Sequence, residues 1–206
     1  MITNHTEETL IKFEERVCDT FMNKEILAPV HLYSGNEKQM IDIFQNIKEE
    51  DWLFCSWRSH YQCLLKGVSE ELLMDEIKKG HSISLNFKDY KIFSTAIVTG
   101  NIPIATGVAL SNKLKDNGEH VYCFVGDMTS ETGCFSENYK YALNYDLPIT
   151  FVIEDNSKSV CTDTLKTWKQ DKLTYESESG KEFDKIIYYK YENKYPHAGT
   201  GVRIQF

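Results

Sequence analysis

The sequence lacks the long apolar run and the clustered basic residues that would suit a membrane span or a nucleic-acid surface. No segment approaches the roughly 18 consecutive apolar residues of a transmembrane helix. The chain has 23 Lys and Arg against 31 Asp and Glu, which gives a formal net charge of -8. Binding to a phosphate backbone requires clustered basic side chains. We therefore expect neither nucleic acid nor membrane as a partner, although a metal ion and a few main-chain N–H groups can still hold an anionic cofactor.

Two further absences concern the compartment. The N-terminal segment MITNHTEETLIKFEERV lacks the basic start and the apolar run of a signal peptide, and it predicts an amphipathic helix instead. The six cysteines show no C-x-x-C spacing and lie mostly within apolar runs, which disfavours a zinc site or a disulfide framework. A reduced, cytoplasmic setting is the expectation.

What the sequence does contain is the composition of an ordinary globular domain. Its 206 residues are 41% hydrophobic and 26% charged, which is enough for one α/β domain with a sizeable core. There is no internal repeat and no low-complexity tract. We expect a single domain over residues 1–206, with a core at about 25–160 and a shorter C-terminal part at 161–206.

Helical spacing and apolar runs predict the main elements. The predicted helices lie at 4–24, 69–79, 103–115 and 135–145. The predicted strands lie at 52–57, 121–127, 147–156 and 185–191. The strand, helix and strand from 121 to 156 form a βαβ unit with parallel strands, and their unbroken apolar runs indicate cover on both faces. The predicted fold class is α/β, a parallel sheet with helices on both faces.

Polar side chains end both strands of this βαβ unit. Asp127 follows VYCFVG, and Asn156 follows LPITFVIED. Ligands of open parallel sheets bind outside the carboxyl ends of the strands, and a carboxylate with an amide oxygen suits Mg2+. The alternative is that Asp127 caps the following helix and Asn156 closes a turn. The spacing alone does not decide between these interpretations.

The amino-acid sequence of the whole segment favours the metal site. From Gly126 to Asn156 it reads GDMTSETGCFSENYKYALNYDLPITFVIEDN, in which Asn156 follows Asp127 by 29 residues. This resembles the thiamine-diphosphate motif, which opens with Gly-Asp-Gly and closes with Asn. Landmarks such as Phe135-Ser136-Glu137 and Leu147-Pro148 are similar to the alpha subunits of 2-oxo acid dehydrogenases. The resemblance implies the thiamine-diphosphate-binding fold, with thiamine diphosphate and Mg2+ as cofactors.

The resemblance also implies roles for individual residues. Asp127 and Asn156 would supply side-chain oxygens to Mg2+, and the main-chain carbonyl of Lys158 would supply a third. The neighbouring residues expected to contact the cofactor are Gly126, Met128 and Thr129. Met128 departs from the family, which has a small residue where the backbone approaches the diphosphate.

Two earlier segments extend the resemblance. WRSH (57–60) is similar to a Tyr-Arg-x-His segment of the family, with Trp57 in place of Tyr. It implies that Trp57 and Arg58 contact the diphosphate, and that His60 faces the reacting end of the cofactor as a catalytic group. Apart from this alignment with the family, an Arg-x-His sequence after a strand more often forms a surface turn. TAIVTGNIPIATGVAL (95–110) is similar to the segment beside the aminopyrimidine ring, where Val98 is the expected contact.

The departures grow towards the C-terminus. The Gly-Ser-Met-His segment of the family corresponds to HSIS (81–84), so Ser84 replaces its His. The chain after Cys161 is shorter than in the family. KYPHAGTG (194–201) resembles a remnant of the family's His-containing loop, which makes His197 a second candidate catalytic residue.

The implied function is that of an alpha-like subunit of a thiamine-diphosphate- and Mg2+-dependent enzyme that decarboxylates or dehydrogenates a 2-oxo acid. In two-chain members the activating Glu belongs to the beta subunit, so a beta-like partner chain is expected in a hetero-oligomer. A lipoyl-bearing acyltransferase is a further expected partner. The alternatives are a transketolase-like or carboligase half-enzyme, and a non-catalytic scaffold subunit that keeps the fold.

Overall fold

The computed structural model describes residues 4–201, and the chain divides into two compact units. Of the described residues, the first unit comprises 4–49, 57–94 and 192–201, and the second comprises 50–56 and 95–191. The helices are α1 (Glu7–Met22), α2 (Glu37–Phe44), α3 (His60–Leu65), α4 (Glu70–Glu76), α5 (Asn101–Lys115), α6 (Asp127–Ser130), α7 (Gly133–Asn144) and α8 (Thr164–Trp168). The strands are β1 (Trp52–Cys55), β2 (Asn86–Phe87), β3 (Ile92–Ser94), β4 (Val121–Gly126), β5 (Ile149–Asp155), β6 (Lys158–Ser159), β7 (Thr162–Asp163) and β8 (Ile186–Lys190).

The first unit is helical, with one short hairpin. Thr6 and Thr9 form a capping box that begins α1, and this helix buries Leu10, Phe13 and Val17 along one face. Helices α1, α2 and α3 contact one another, and β2 pairs antiparallel with β3. The segment 192–201 also belongs to this unit.

The second unit contains the parallel sheet. Its strands β1, β4, β5 and β8 are neighbours in that order, and every one of these pairs is parallel. Helix α5 packs against α7 and against β1, β4 and β5. Strands β4 and β5 are buried almost throughout, as their unbroken apolar runs predict. The predicted fold class, α/β with a parallel sheet flanked by helices, is confirmed.

The predicted elements agree with the structure wherever the periodic signal is long. The helices predicted at 4–24, 103–115 and 135–145 correspond to α1, α5 and α7, and the predicted βαβ unit is present. The strand predicted at 52–57 ends at Cys55, because the chain passes from the second unit into the first after residue 56. The helix predicted at 69–79 ends at Glu76 and continues as a wider turn over 77–81, which contains Gly80 at φ 91°. Among the described residues, no helix is both long and apolar enough to cross a membrane.

Two glycines provide a matched test of these backbone assignments. Gly35 has φ 83°, and a Cβ built on it would lie 2.3 Å from the carbonyl oxygen of Glu192, whereas a Cβ on Gly107 in α5 meets nothing within 4 Å. Gly35→Ala should therefore lower the free energy of unfolding by more than about 1 kcal/mol. Gly107→Ala should raise it by about 1 kcal/mol, because alanine has the higher helix propensity. Urea unfolding of both variants checks this, and equal effects of the two substitutions would contradict it.

Candidate active site

The register of β4 and β5 brings the predicted metal ligands to one edge of the sheet. Gly126 at the end of β4 pairs with Glu154 near the end of β5, so Asp127 and Asn156 leave adjacent strands at the same edge. Asp127 is the first residue of α6, which lies against both β5 and β6. Lys158 begins β6. The structure thus gathers the predicted ligands at the carboxyl edge of the second unit's sheet.

Asp127 is a buried carboxyl group with an unusual proton affinity. Loss of solvation raises the pKa of Asp127 to about 7, and the nearby Asp155 carboxylate adds to the rise. The Thr164 hydroxyl opposes it by donating to Asp127 Oδ2 at 2.5 Å. Asp155 is itself buried and accepts the Ser157 N–H and the Tyr188 hydroxyl. A cation at Asp127 would offset both unfavourable effects.

The structure also shows hydrogen bonds that fit the alternative interpretation, in which Asp127 caps a helix and Asn156 closes a turn. Asn156 Oδ1 accepts the Lys158 N–H at 3.1 Å, which closes a turn. The carboxylate of Asp127 accepts main-chain N–H groups at the start of α6, including that of Met128. The two Asp127 oxygens offer about four lone-pair positions, of which Thr164 and the main-chain N–H groups use three. Asn156 Oδ1 offers two positions, of which the Lys158 N–H uses one. A position for a metal ion remains on each side chain.

The donor set fits a hard cation shared with a phosphate. Within residues 4–201, no group of three His, Cys, Asp or Glu side chains is arranged to hold a metal ion. The oxygens at this edge are one carboxylate of Asp127, the amide of Asn156 and main-chain carbonyls. Mg2+ is commonly held by one or two carboxylates together with substrate phosphates and water, whereas structural zinc requires four nitrogen or sulfur ligands. The residues present therefore fit Mg2+ bound jointly with a diphosphate.

The side chain of Met128 contacts helix α8. The indole N–H of Trp168, at the end of α8, donates to Met128 Sδ at 3.0 Å. The thioether is thus held against α8, so the Met128 side chain has a defined contact. Thr129, also expected to contact the cofactor, is buried directly after Met128.

In the first unit, the structure brings His197 together with Trp57 and Arg58. The ring centroids of Trp57 and His197 are 5.9 Å apart, and Arg58 Nη2 donates to the carbonyl oxygen of His197 at 3.3 Å. Arg58 Nε donates to the Leu32 carbonyl oxygen at 3.0 Å. His31 joins the group, because its ring lies 4.5 Å from that of His197. Arg58 is buried, so it does not form the surface turn of the alternative interpretation.

Trp57 carries an unused hydrogen-bond donor. Its Nε1 is buried and has no hydrogen-bond partner within residues 4–201. A buried donor without a partner costs free energy, so most such groups in native proteins are paired. An acceptor oxygen of a bound ligand would satisfy it.

His60 is fully buried and both of its ring nitrogens are engaged. Nδ1 lies 3.0 Å from Glu14 Oε2, and Nε2 lies 2.9 Å from Ser82 Oγ. Both partners belong to the first unit, and Ser82 lies within the HSIS segment. The expectation that His60 faces the cofactor stays a prediction, and these contacts connect α1, the start of α3 and the segment after α4.

Val98 lies in an exposed turn before α5. Val98 is 48% exposed and the preceding Ile97 is 72% exposed. Thr99, the next residue, has φ 67°. This left-handed conformation is rare for a β-branched residue such as threonine. The predicted contact of Val98 with the aminopyrimidine ring stays a prediction.

Sequence reasoning missed several residues of these clusters. Glu14 had a signal, because it occupies the buried face of α1 that Leu10 and Val17 define, where a charged residue needs a partner. Asp155 stands within the segment from Gly126 to Asn156 that carries the resemblance. Thr164 and Trp168 had no signal, since their partners lie 37 and 40 residues away in the sequence.

The acid stability of the chain should report on His31. Burial, and then the charge of Arg58, lower the pKa of His31 from 6.5 to about 4. The unfolded state therefore binds more protons than the folded state between these values. The free energy of unfolding should fall as the pH drops from 6.5 to 4, by on the order of 3 kcal/mol from this residue.

The substitution His31→Asn isolates that contribution. Asn keeps an N–H donor for the His197 carbonyl oxygen, which His31 Nδ1 contacts at 2.5 Å, but it does not titrate. Urea unfolding across pH 4–8.5 should show wild type losing stability relative to the variant below pH 6.5. Above pH 7.5 the two curves should run parallel. Parallel curves over the whole range would show that His31 has an ordinary pKa.

Comparison with known proteins agrees with the resemblance seen in the sequence. The family described as dehydrogenase E1 component matches residues 5–183. The alpha subunit of acetoin:2,6-dichlorophenolindophenol oxidoreductase from Cupriavidus necator is 33% identical over 164 residues, which cover 75% of this chain and 49% of that protein. The subunit of the same name from Bacillus subtilis is 29% identical over 160 residues, 73% of this chain and 48% of that protein.

A pyruvate dehydrogenase E1 component subunit alpha shows a similar match. The protein from Porphyra purpurea is 29% identical over 170 residues, which cover 72% of this chain and 48% of that protein. The chain thus spans about half the length of the curated relatives that it matches. The match over residues 5–183 includes both strands of the βαβ unit and the WRSH segment. The chain therefore belongs to the dehydrogenase E1 component family and is similar to its alpha subunits.

Proposed function

We propose that this chain binds thiamine diphosphate with Mg2+ and is the alpha-like half of an enzyme that acts on a 2-oxo acid. The observation that carries the proposal is the pairing of Gly126 with Glu154, from which Asp127 and Asn156 follow at the same carboxyl edge of a parallel sheet. Asp127 supplies the anionic ligand of the metal. Asn156 supplies its amide oxygen, and Lys158 supplies its main-chain carbonyl.

The protein's part in the chemistry is to bind, orient and exclude water. Thiamine diphosphate supplies a nucleophilic carbon for attack on a carbonyl and an electron sink afterwards. Asp127 is buried, so its attraction to Mg2+ acts with little screening by solvent. The free N–H of Trp57 and the guanidinium of Arg58 are proposed donors to phosphate oxygens, and Val98 is a proposed contact of the aminopyrimidine ring.

A beta-like chain is proposed as the partner. Relatives of this chain are named as subunits alpha, which implies a further subunit in those proteins. The partner would supply the Glu that activates the cofactor. Exposed apolar side chains at the start of α5, among them Ile97 and Ile104, support a surface that another chain covers. A lipoyl-bearing acyltransferase is proposed as the acceptor of an oxidative reaction.

A second candidate is a subunit that holds the cofactor while the partner performs the chemistry. The complete engagement of His60 by Glu14 and Ser82 favours it, because neither ring nitrogen is available to a substrate in this arrangement. His197 is half-buried and keeps a role as candidate catalytic residue in the first function. Consumption of pyruvate by the chain and its partner, with and without His197→Asn, distinguishes the two. The first function expects a loss of turnover, and the second expects none.

The cofactor assignment is tested by titration calorimetry of the full chain with thiamine diphosphate. Binding should require Mg2+ and should disappear in EDTA. Asp127→Ala should abolish the Mg2+-dependent part, because Asn156 and Lys158 are neutral ligands that cannot replace the carboxylate charge. Asp42→Ala is the control, since that carboxylate lies on the exposed face of α2 in the first unit and is not a proposed ligand. Unchanged affinity of Asp127→Ala would show that the metal lies elsewhere.

Trp57→Phe separates ligand binding from stability. The substitution removes a buried N–H that has no partner in the described part of the chain, so the ligand-free melting temperature should stay equal or rise. The rise in melting temperature on adding Mg2+ and thiamine diphosphate should shrink. Trp52→Phe is the control, because Trp52 Nε1 donates to Glu119 Oε2 at 2.9 Å. That variant should melt earlier and keep the full ligand-induced rise, and the reverse pattern would contradict the role of Trp57.

A further inference from the structure

Helix α8 contacts the beginning of α6 through two side chains on one of its faces. Thr164 Oγ1 donates to Asp127 Oδ2 at 2.5 Å, and Trp168 Nε1 donates to Met128 Sδ at 3.0 Å. Residues four apart in a helix lie on the same face. Two donors of one helix therefore reach two consecutive residues of the proposed metal and diphosphate loop. Thr164 is fully buried, whereas Trp168 is 44% exposed.

The same stretch of chain carries the other proposed ligands. Asn156 precedes β6, which begins at Lys158 and pairs antiparallel with β7 to form a two-stranded ribbon. Helix α8 begins directly after β7. The Thr164 N–H donates to the Ser157 carbonyl oxygen at 3.2 Å, so the stretch 157–164 closes on itself. Asp163 caps α8 by accepting the Lys166 N–H at 2.9 Å. The position of the Thr164 hydroxyl is thus tied to the position of Asn156.

Met128 explains why such support is needed. Methionine has three rotatable side-chain bonds and fills any nearby space, whereas the similar motif has a small residue at this position. The sulfur is a weak acceptor, and the indole N–H of Trp168 gives it one defined partner. A side chain held towards α8 leaves the main chain of 127–128 free on its other side.

We propose that Thr164 and Trp168 are positioning residues for the metal and diphosphate site. Thr164 orients the Asp127 carboxylate, and Trp168 keeps the Met128 side chain out of the space that the diphosphate needs. Neither residue touches the ligand. The inference rests on the proposed function, and it extends that function to a helix which follows the ligand-bearing motif.

Calorimetric titration of the full chain with thiamine diphosphate at saturating Mg2+ tests the role of Thr164. Thr164→Val keeps the shape and removes the hydroxyl, so affinity should fall by about tenfold. Thr164→Ser restores a hydroxyl and should return affinity to within about twofold of wild type. Thr167→Val is the control on the same helix, because the Thr167 hydroxyl donates only within α8, to the Asp163 carbonyl oxygen. It should leave affinity unchanged.

A double-substitution cycle tests the role of Trp168. Trp168→Phe keeps an aromatic ring and removes the donor, and it should weaken binding by about threefold. In a Met128→Gly background the same substitution should have no effect, since no side chain remains to be held. An equal loss in both backgrounds would mean that Trp168 touches the ligand itself, which would overturn its positioning role.

The outcomes separate this inference from the function on which it rests. If the wild-type chain binds no thiamine diphosphate at saturating Mg2+, the proposed function and the inference both fail. If wild type binds and Thr164→Val binds equally well, the inference alone fails. A loss that Thr164→Ser shares with Thr164→Val would also overturn it, because the hydroxyl would not be the cause.

Discussion

The structure of the second unit depends on one electrostatic constraint, a carboxyl group buried at the end of a central parallel strand. Asp127 is 1% exposed and has another carboxylate, Asp155, in its neighbourhood. Taking an ionised group out of water is costly unless hydrogen bonds or an opposite charge replace its hydration. The surrounding chain provides hydrogen bonds from Thr164 and from the main chain at the start of α6. The Lys190 ammonium lies 3.7 Å from Asp155 Oδ2, and the proposed metal ion would supply the opposite charge at Asp127.

The first unit also contains a buried carboxylate, which is stabilised in a different way. Glu14 is buried in α1, and its carboxylate accepts the Tyr33 N–H and contacts His60 Nδ1. The Tyr33 hydroxyl then donates to the carbonyl oxygen of Arg58 at 2.8 Å. Protein groups alone satisfy this acid, and the result is a rigid connection from α1 to the segment that carries Trp57 and Arg58. One buried acid thus connects elements of its unit, and the other is the proposed ligand of a metal ion.

The elements that could be predicted from the sequence are those that a local pattern of residues determines. The runs VYCFVG and ITFVIED read as buried strands, and the positions of Asp127 and Asn156 at the strand ends follow from them. Helix α3 and the β2–β3 hairpin are too short to show a period, so they could not be predicted in this way. The ribbon and α8 depend on contacts from Thr164 and Trp168 across 37 and 40 residues, which no local signal contains. The contact of His197 with Trp57 is likewise long-range. The similarity of KYPHAGTG to a family loop made His197 a candidate catalytic residue, but it did not predict this contact.

Strands that are buried on both faces pose a problem of alignment during folding. Their apolar pattern is the same in neighbouring registers, so it does not select one of them. In β4 and β5 the difference lies at the ends, where acidic residues follow the apolar runs: Asp127 after β4, and Glu154 and Asp155 at the end of β5. Sliding β4 by two residues would carry Asp127 about 7 Å along the strand direction, away from Asn156 and its hydrogen-bond partners. The acidic residues at the strand ends therefore favour one register of strand pairing over the others. Selection for the proposed ligand site and selection for correct sheet assembly would both act on Asp127.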